Sequence, residues 1–160
     1  MSARLMILNG PNLNLLGVRE PHIYGSITLA AIEACCRDFA KYLDAPLDFH
    51  QSNHEGELVD LIQSARTKAD AIIFNPAGYS FTSIAILDAL KTFAGPFIEV
   101  HISNIHARDE LHRHSILSSA ATAVICGLGP YGYIVAMQAA ARMVGKLPDG
   151  LPHPIRNGPG

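Results

Sequence analysis

Charge is scarce in this 160-residue chain. Only 16% of its residues are Asp, Glu, Lys or Arg, against about a quarter in an ordinary globular protein. Basic excess is absent too: twelve Lys and Arg stand against fourteen Asp and Glu, for a net charge of −2. A chain without surplus cations has little to hold a phosphate backbone, which argues against a nucleic-acid partner. No apolar run approaches the roughly 18 residues that a membrane span needs, so no membrane partner is expected. No charged-then-apolar leader opens the sequence, and a cytoplasmic location is the expectation. Cysteine is sparse: Cys35 and Cys36 sit side by side on a helical pattern, and Cys126 lies in an apolar run. All three read as reduced core thiols rather than a disulfide framework.

What is present is apolar: 49% of the residues are hydrophobic. That excludes a disordered chain, and the length suits one domain with its own core. Residues 1–145 read as a single α/β domain. Lys146–Gly160 reads as a flexible Pro- and Gly-rich tail.

Apolar runs alternate with helical patterns. Strands are expected at Arg4–Asn9, Pro46–Gln51, Ala69–Phe74, Phe97–Ile102 and Ala121–Cys126, each short and closed by turn residues or by a helix. Helices are expected at Thr28–Leu43, with Thr28 as N-cap, and at Glu55–Arg66, Thr82–Thr92 and Pro130 to about Val144. Strands alternating with helices of this length make right-handed βαβ units, hence a five-stranded parallel sheet with helices on both faces. The expected class is three-layer α/β, flavodoxin-like. Ligands of such sheets bind beyond the carboxyl ends of the strands. The segments Asn9–Ser26, Asn75–Phe81 and His101–Ser115 should therefore open on one rim.

Two constellations on that rim are suited to acid–base chemistry. The connection after the first strand is long for a βα loop and carries Arg19 and Tyr24. An adjacent guanidinium favours the phenolate of a tyrosine; the alternative is a lid tyrosine beside a solvated arginine. At the end of the fourth strand, two-residue alternation puts Glu99 and His101 on one face. A carboxylate beside an imidazole raises its pKa and suits it to act as a general acid; the alternative is a structural histidine at a strand end. Gly127–Gly132 matches a dinucleotide-binding spacing. It follows the last expected strand, which favours a tight strand-to-helix turn. His101, His106, His112 and His114 have no metal-ligand spacing, so no metal is expected.

In combination these segments resemble type II dehydroquinase, the 3-dehydroquinate dehydratase of the shikimate and quinate pathways. The matching pieces are Ile7–Gly25 (ILNGPNLNLLGVREPHIYG), Gln51–Ile62, Phe74–Leu90, Ile98–Ser118 and Gly127–Tyr133. The resemblance implies an anti elimination of water through an enolate, without a cofactor, in a dodecamer built as a tetramer of trimers. It implies that Tyr24 is the base and that Arg19 keeps it reactive. Asn12 then helps hold a water at the enolate oxygen, and His101, with Glu99 as partner, protonates the departing hydroxyl. Asn75 and the Ile102–Ser103 backbone would grip the small-molecule substrate, and Asp88 would reach a neighbouring subunit's site. Three positions depart from the family pattern. Phe81 stands where a substrate-binding histidine is usual, His112 where an arginine is usual, and Leu87 where an arginine precedes Asp88. Arg113 follows His112, but one step along a helical turn points about 100° away. The same lyase chemistry on a related hydroxylated cyclohexanone carboxylate is thus a second expectation. A non-catalytic flavodoxin-like protein binding FMN or a nucleotide is a third.

Overall fold

The computed structural model describes residues 2–18 and 20–145, with Tyr24 described in its backbone alone. Arg19, the Tyr24 side chain and the expected tail at Lys146–Gly160 lie outside the described residues.

Five parallel strands, β1 (Leu5–Asn9), β2 (Leu47–Gln51), β3 (Ala71–Asn75), β4 (Phe97–His101) and β5 (Ala123–Cys126), form one sheet in the order β2-β1-β3-β4-β5. This is the flavodoxin-like order, in which successive strands change the side on which they add between β1 and β3. The helices are α1 (Pro21–Tyr24), α2 (Leu29–Tyr42), α3 (Glu55–Lys68), α4 (Ile84–Leu90) and α5 (Tyr131–Met143).

Alternation along the strands sorts the core into two layers. Leu5 and Ile7 of β1, Ala71 and Ile73 of β3, and Ile98 and Val100 of β4 face α2 and α5, against Ile32, Cys36, Tyr133, Ala136 and Met137. Met6, Leu8, Ile72, Phe74 and Phe97 face α3 and α4, against Leu58, Ile62, Ile86 and Leu90. A strand covered on both faces has no polar side, which is why β1 and β3 read as unbroken apolar runs. Each fully buried Leu or Ile contributes about 1.5–3 kcal/mol.

Local signals hold at most element ends. The Thr28 hydroxyl accepts from the Ala31 N–H at 3.2 Å and caps α2. The helix expected from Thr82 begins instead at Ile84, because the Ser83 hydroxyl caps it by accepting from the Ile86 N–H at 3.0 Å. Gly127 and Gly129 adopt left-handed φ angles of 87° and 61°. Their N–H groups donate to the His101 and Ile102 carbonyls, so the Gly127–Gly132 run is a tight turn that ties β5 to the end of β4. The cysteine expectation needs correction: Cys36 is buried, but Cys35 is exposed and Cys126 lies between these extremes. Adjacent helical residues point about 100° apart and cannot both face one core. The connection expected as a plain loop after β1 holds a 3-10 turn at Leu13–Leu15 and the single-turn helix α1.

Among the described residues, no helix is long and apolar enough to cross a membrane. No group of three His, Cys, Asp or Glu among them is placed to hold a metal ion.

Candidate active site

The connections after β1, β3 and β4 open on one rim, as expected, and enclose a cavity of about 180 Å³. Asn12, Leu13 and Leu16 come from the first connection; Ala77, Gly78 and Phe81 from the second; Ile102, Ser103, Ile105, Arg108 and His112 from the third. Asn75 and His101, the last residues of β3 and β4, complete the wall.

Close backbone packing brings the first two connections together. A Cβ on Gly10 would lie 2.3 Å from the Pro76 carbonyl oxygen, so only glycine lets the chain leave β1 against the exit of β3. Asn12 then turns left-handed, at φ 68°, a conformation that asparagine tolerates better than most residues. Its N–H donates to Asn53 Oδ1 at 3.0 Å, and Gln51 Nε2 donates to the same oxygen at 3.1 Å. Two side chains from the end of β2 thus hold the Asn12 turn. Ala77 is also left-handed, at φ 51°, and its N–H donates to Asn75 Oδ1 at 3.3 Å.

The pair at the end of β4 lies on one face, as alternation requires. His101 Nε2 is 3.3 Å from Glu99 Oε1, with the two side chains 5% and 0% exposed. Glu99 does not reach the cavity; it sits behind His101. The Ser115 hydroxyl donates to one of its oxygens and the Ser118 hydroxyl to the other. Burial by itself pushes the Glu99 carboxyl up, but His101 and the two serine hydroxyls outweigh burial and hold it below the ordinary carboxylate value. His101 thus stands at the cavity wall against a buried carboxylate, an arrangement suited to proton transfer.

Asn12, Asn75, Phe81, His101, Ile102, Ser103 and His112 of the expected site all line the cavity. Asp88 does not: it is exposed on α4, away from the cavity of its own chain. Arg113 also stays out. Its Nη2 donates to the Arg108 carbonyl at 2.7 Å and its Nη1 lies 3.5 Å from Glu110, as its one-residue offset from His112 required. The two departures meet: the rings of Phe81 and His112 pack edge to face, 5.5 Å apart. His112 Nδ1 lies 2.8 Å from Asp109 Oδ1.

Three groups escaped sequence reasoning. Ser115 and Ser118 gave no signal, because their partner Glu99 lies 16 and 19 residues earlier. Arg108, a cation on the cavity wall, stood within a matched segment but carried no spacing cue. Tyr133, fully buried on α5, donates its hydroxyl to Asn9 Oδ1 at 2.7 Å and accepts from Asn75 Nδ2 at 2.9 Å.

A buried acid pair beside amides and a cation, on the carboxyl rim of a flavodoxin-order sheet, defines an enzyme that handles a small polar molecule by proton transfer. Comparison with known proteins agrees. The family model "Dehydroquinase class II" matches residues 3–141. A catabolic 3-dehydroquinase of Verticillium alfalfae is 56% identical over 149 residues, covering 93% of this chain and 99% of that protein. A 3-dehydroquinate dehydratase of Bartonella bacilliformis is 51% identical over 144 residues, covering 90% and 91%. The crystal structure of a type II dehydroquinase from Propionibacterium acnes superposes with a TM-score of 0.85 at 40% identity, covering 88% of this chain and 97% of that one. The chain belongs to the class II dehydroquinase family.

Proposed function

We propose that this protein is a 3-dehydroquinate dehydratase, a hydro-lyase that converts 3-dehydroquinate to 3-dehydroshikimate by anti elimination of water. The observation that carries the reading is the Glu99–His101 pair, buried at the wall of a cavity shared with Asn12 and Asn75. The reaction needs a base on one face of the substrate ring and an acid for the departing hydroxyl. Tyr24, kept reactive by Arg19, takes the proton from the carbon next to the ketone. The electron pair moves onto the ketone oxygen as an enolate, which a water held by Asn12 stabilises. The enolate then collapses to the ring double bond and expels the C1 hydroxyl, which leaves as water with the proton of the His101 imidazolium. Glu99 stands behind His101 as its partner. Acid–base groups of this kind suffice next to a carbonyl, so no cofactor or metal is invoked. Asn75 and the Ile102–Ser103 backbone grip the substrate, with Phe81 and His112 on the ring.

Residues 1–145 act as one catalytic domain in a cytoplasmic protein. The working assembly is a homododecamer, a tetramer of trimers, in which Asp88 reaches a neighbour's site. The apolar composition, 49% hydrophobic, is compatible with buried subunit contacts. The Verticillium relative is named a catabolic 3-dehydroquinase and the Bartonella relative a 3-dehydroquinate dehydratase.

The test is growth of the conjugated enone product from 3-dehydroquinate, followed in the ultraviolet with purified protein. Turnover that is lost in His101→Ala supports the reading. A folded wild-type protein that forms no enone overturns it.

A further inference from the structure

We propose that the Tyr133 hydroxyl is a positioning group for the rim cavity, setting which way round the Asn75 amide faces its substrate. The inference rests on the reading of Asn75 as a substrate ligand.

Asn9 and Asn75 are paired in register across the β1–β3 seam, and their side chains emerge on the face covered by α5. Tyr133 lies between them. The order of donors and acceptors here follows from chemistry alone. Asn9 Nδ2 donates to the His50 carbonyl at 3.0 Å. A carbonyl can only accept, so Asn9 must turn its nitrogen to His50 and its oxygen to Tyr133. That oxygen can only accept, so the Tyr133 hydroxyl spends its single hydrogen on it, at 2.7 Å. Toward Asn75 the hydroxyl can then only accept, and it takes Asn75 Nδ2 at 2.9 Å. Asn75 Oδ1 faces the Ala77 N–H, which can only donate, at 3.3 Å. Both ends of the relay are backbone groups of fixed polarity, so neither amide can flip without breaking it. Among the described residues, Asn75 keeps one amide hydrogen and one oxygen lone pair uncommitted, in a fixed arrangement, at the cavity wall.

Tyr133 is fully buried, and burial raises its pKa, so the hydroxyl keeps the hydrogen that the relay requires. No side chain reaching the cavity from α5 is needed: the helix acts through Asn75. Without the hydroxyl, Nδ2 loses its acceptor and the amide is held by the Ala77 contact alone.

Tyr133→Phe, Asn75→Ala and the double variant test this by steady-state kinetics on 3-dehydroquinate, with thermal unfolding measured alongside. Tyr133→Phe should raise KM by about three- to tenfold, the worth of a neutral hydrogen bond, with kcat within about twofold of wild type. Asn75→Ala should raise KM at least as much. The double variant should be no worse than Asn75→Ala, because Tyr133 acts through that side chain. Should Tyr133→Phe fail to fold, Asn9→Ala removes the acceptor that commits the tyrosine hydrogen and should raise KM in the same direction, by less. Lower thermal stability with unchanged KM in Tyr133→Phe would make the relay merely structural and overturn the proposal. So would KM effects of the two substitutions that multiply in full. Asn75→Ala with wild-type KM would instead overturn the reading of Asn75, and the proposal would fall with it.

Discussion

Phe81 and His112 stand in contact, their rings meeting at 79° with centroids 5.5 Å apart. Both are positions where the resemblance implies a departure from the family pattern, and both line the cavity. The two departures therefore form one local repacking, with an apolar ring beside an imidazole that Asp109 holds from behind. A pair in contact couples, so its members should not be changed one at a time. Phe81→His with His112→Arg restores the residues usual in the family and adds back two donors toward the ring hydroxyls. The double variant should lower KM for 3-dehydroquinate, or raise kcat/KM, by at least about tenfold, and by more than the product of the single variants' effects. No gain in steady-state kinetics would show that the pair is adapted to a different ring.

The base is tested by Tyr24→Phe. With Tyr24 as the proposed base, removing the phenolic oxygen leaves the enolate step without a proton acceptor. kcat should fall by at least about 100-fold, the lower end for general-base catalysis, with thermal unfolding little changed. More than half the wild-type kcat in this variant would take Tyr24 out of the mechanism.

Glu99 links stability to pH. Burial raises its pKa, and His101, Ser115 and Ser118 more than reverse that, leaving the folded value below the unfolded one. The stability contributed by the carboxylate is thus fully present above the unfolded value, about 4.3, and is lost as pH falls through the lower folded value. Glu99→Gln keeps the shape and removes the titration. Its urea midpoint should be lower than wild type near neutrality, and the gap should close as the solution is acidified below about pH 4. A gap that stays constant from neutral to acid pH would contradict a charged Glu99 in the fold. Because Glu99 also positions His101, kcat should fall in the same variant.

Assembly is read by light scattering. A dodecamer has a mass many times the 17.2 kDa of one chain. A stable monomer that turns over 3-dehydroquinate would remove both the dodecamer and the role of Asp88 in a neighbour's site.

Much of this protein follows from local chemistry. Apolar runs covered on both faces announce buried parallel strands, as at Leu5–Asn9 and Ala71–Asn75, and Thr28 announces a helix start. The two-residue pleat places Glu99 and His101 on one face wherever β4 lies in the sheet. The ends of elements were less legible where hydroxyls compete: Ser83 rather than Thr82 begins α4, because capping depends on which hydroxyl reaches a free N–H.

Tertiary structure decided what depends on residues far apart in the chain. Tyr133 meets Asn9 across 124 positions, and no periodicity encodes that meeting. Ser115 and Ser118 became the clamp on Glu99, and Phe81 met His112, only when the connections after β3 and β4 folded over the strand ends. Composition and spacing determined which chemical groups the rim would carry, since pleat and turn geometry act within a few residues. Which groups touch was decided by the strand order, which brings the ends of β1, β3 and β4 side by side and seals them beneath α5.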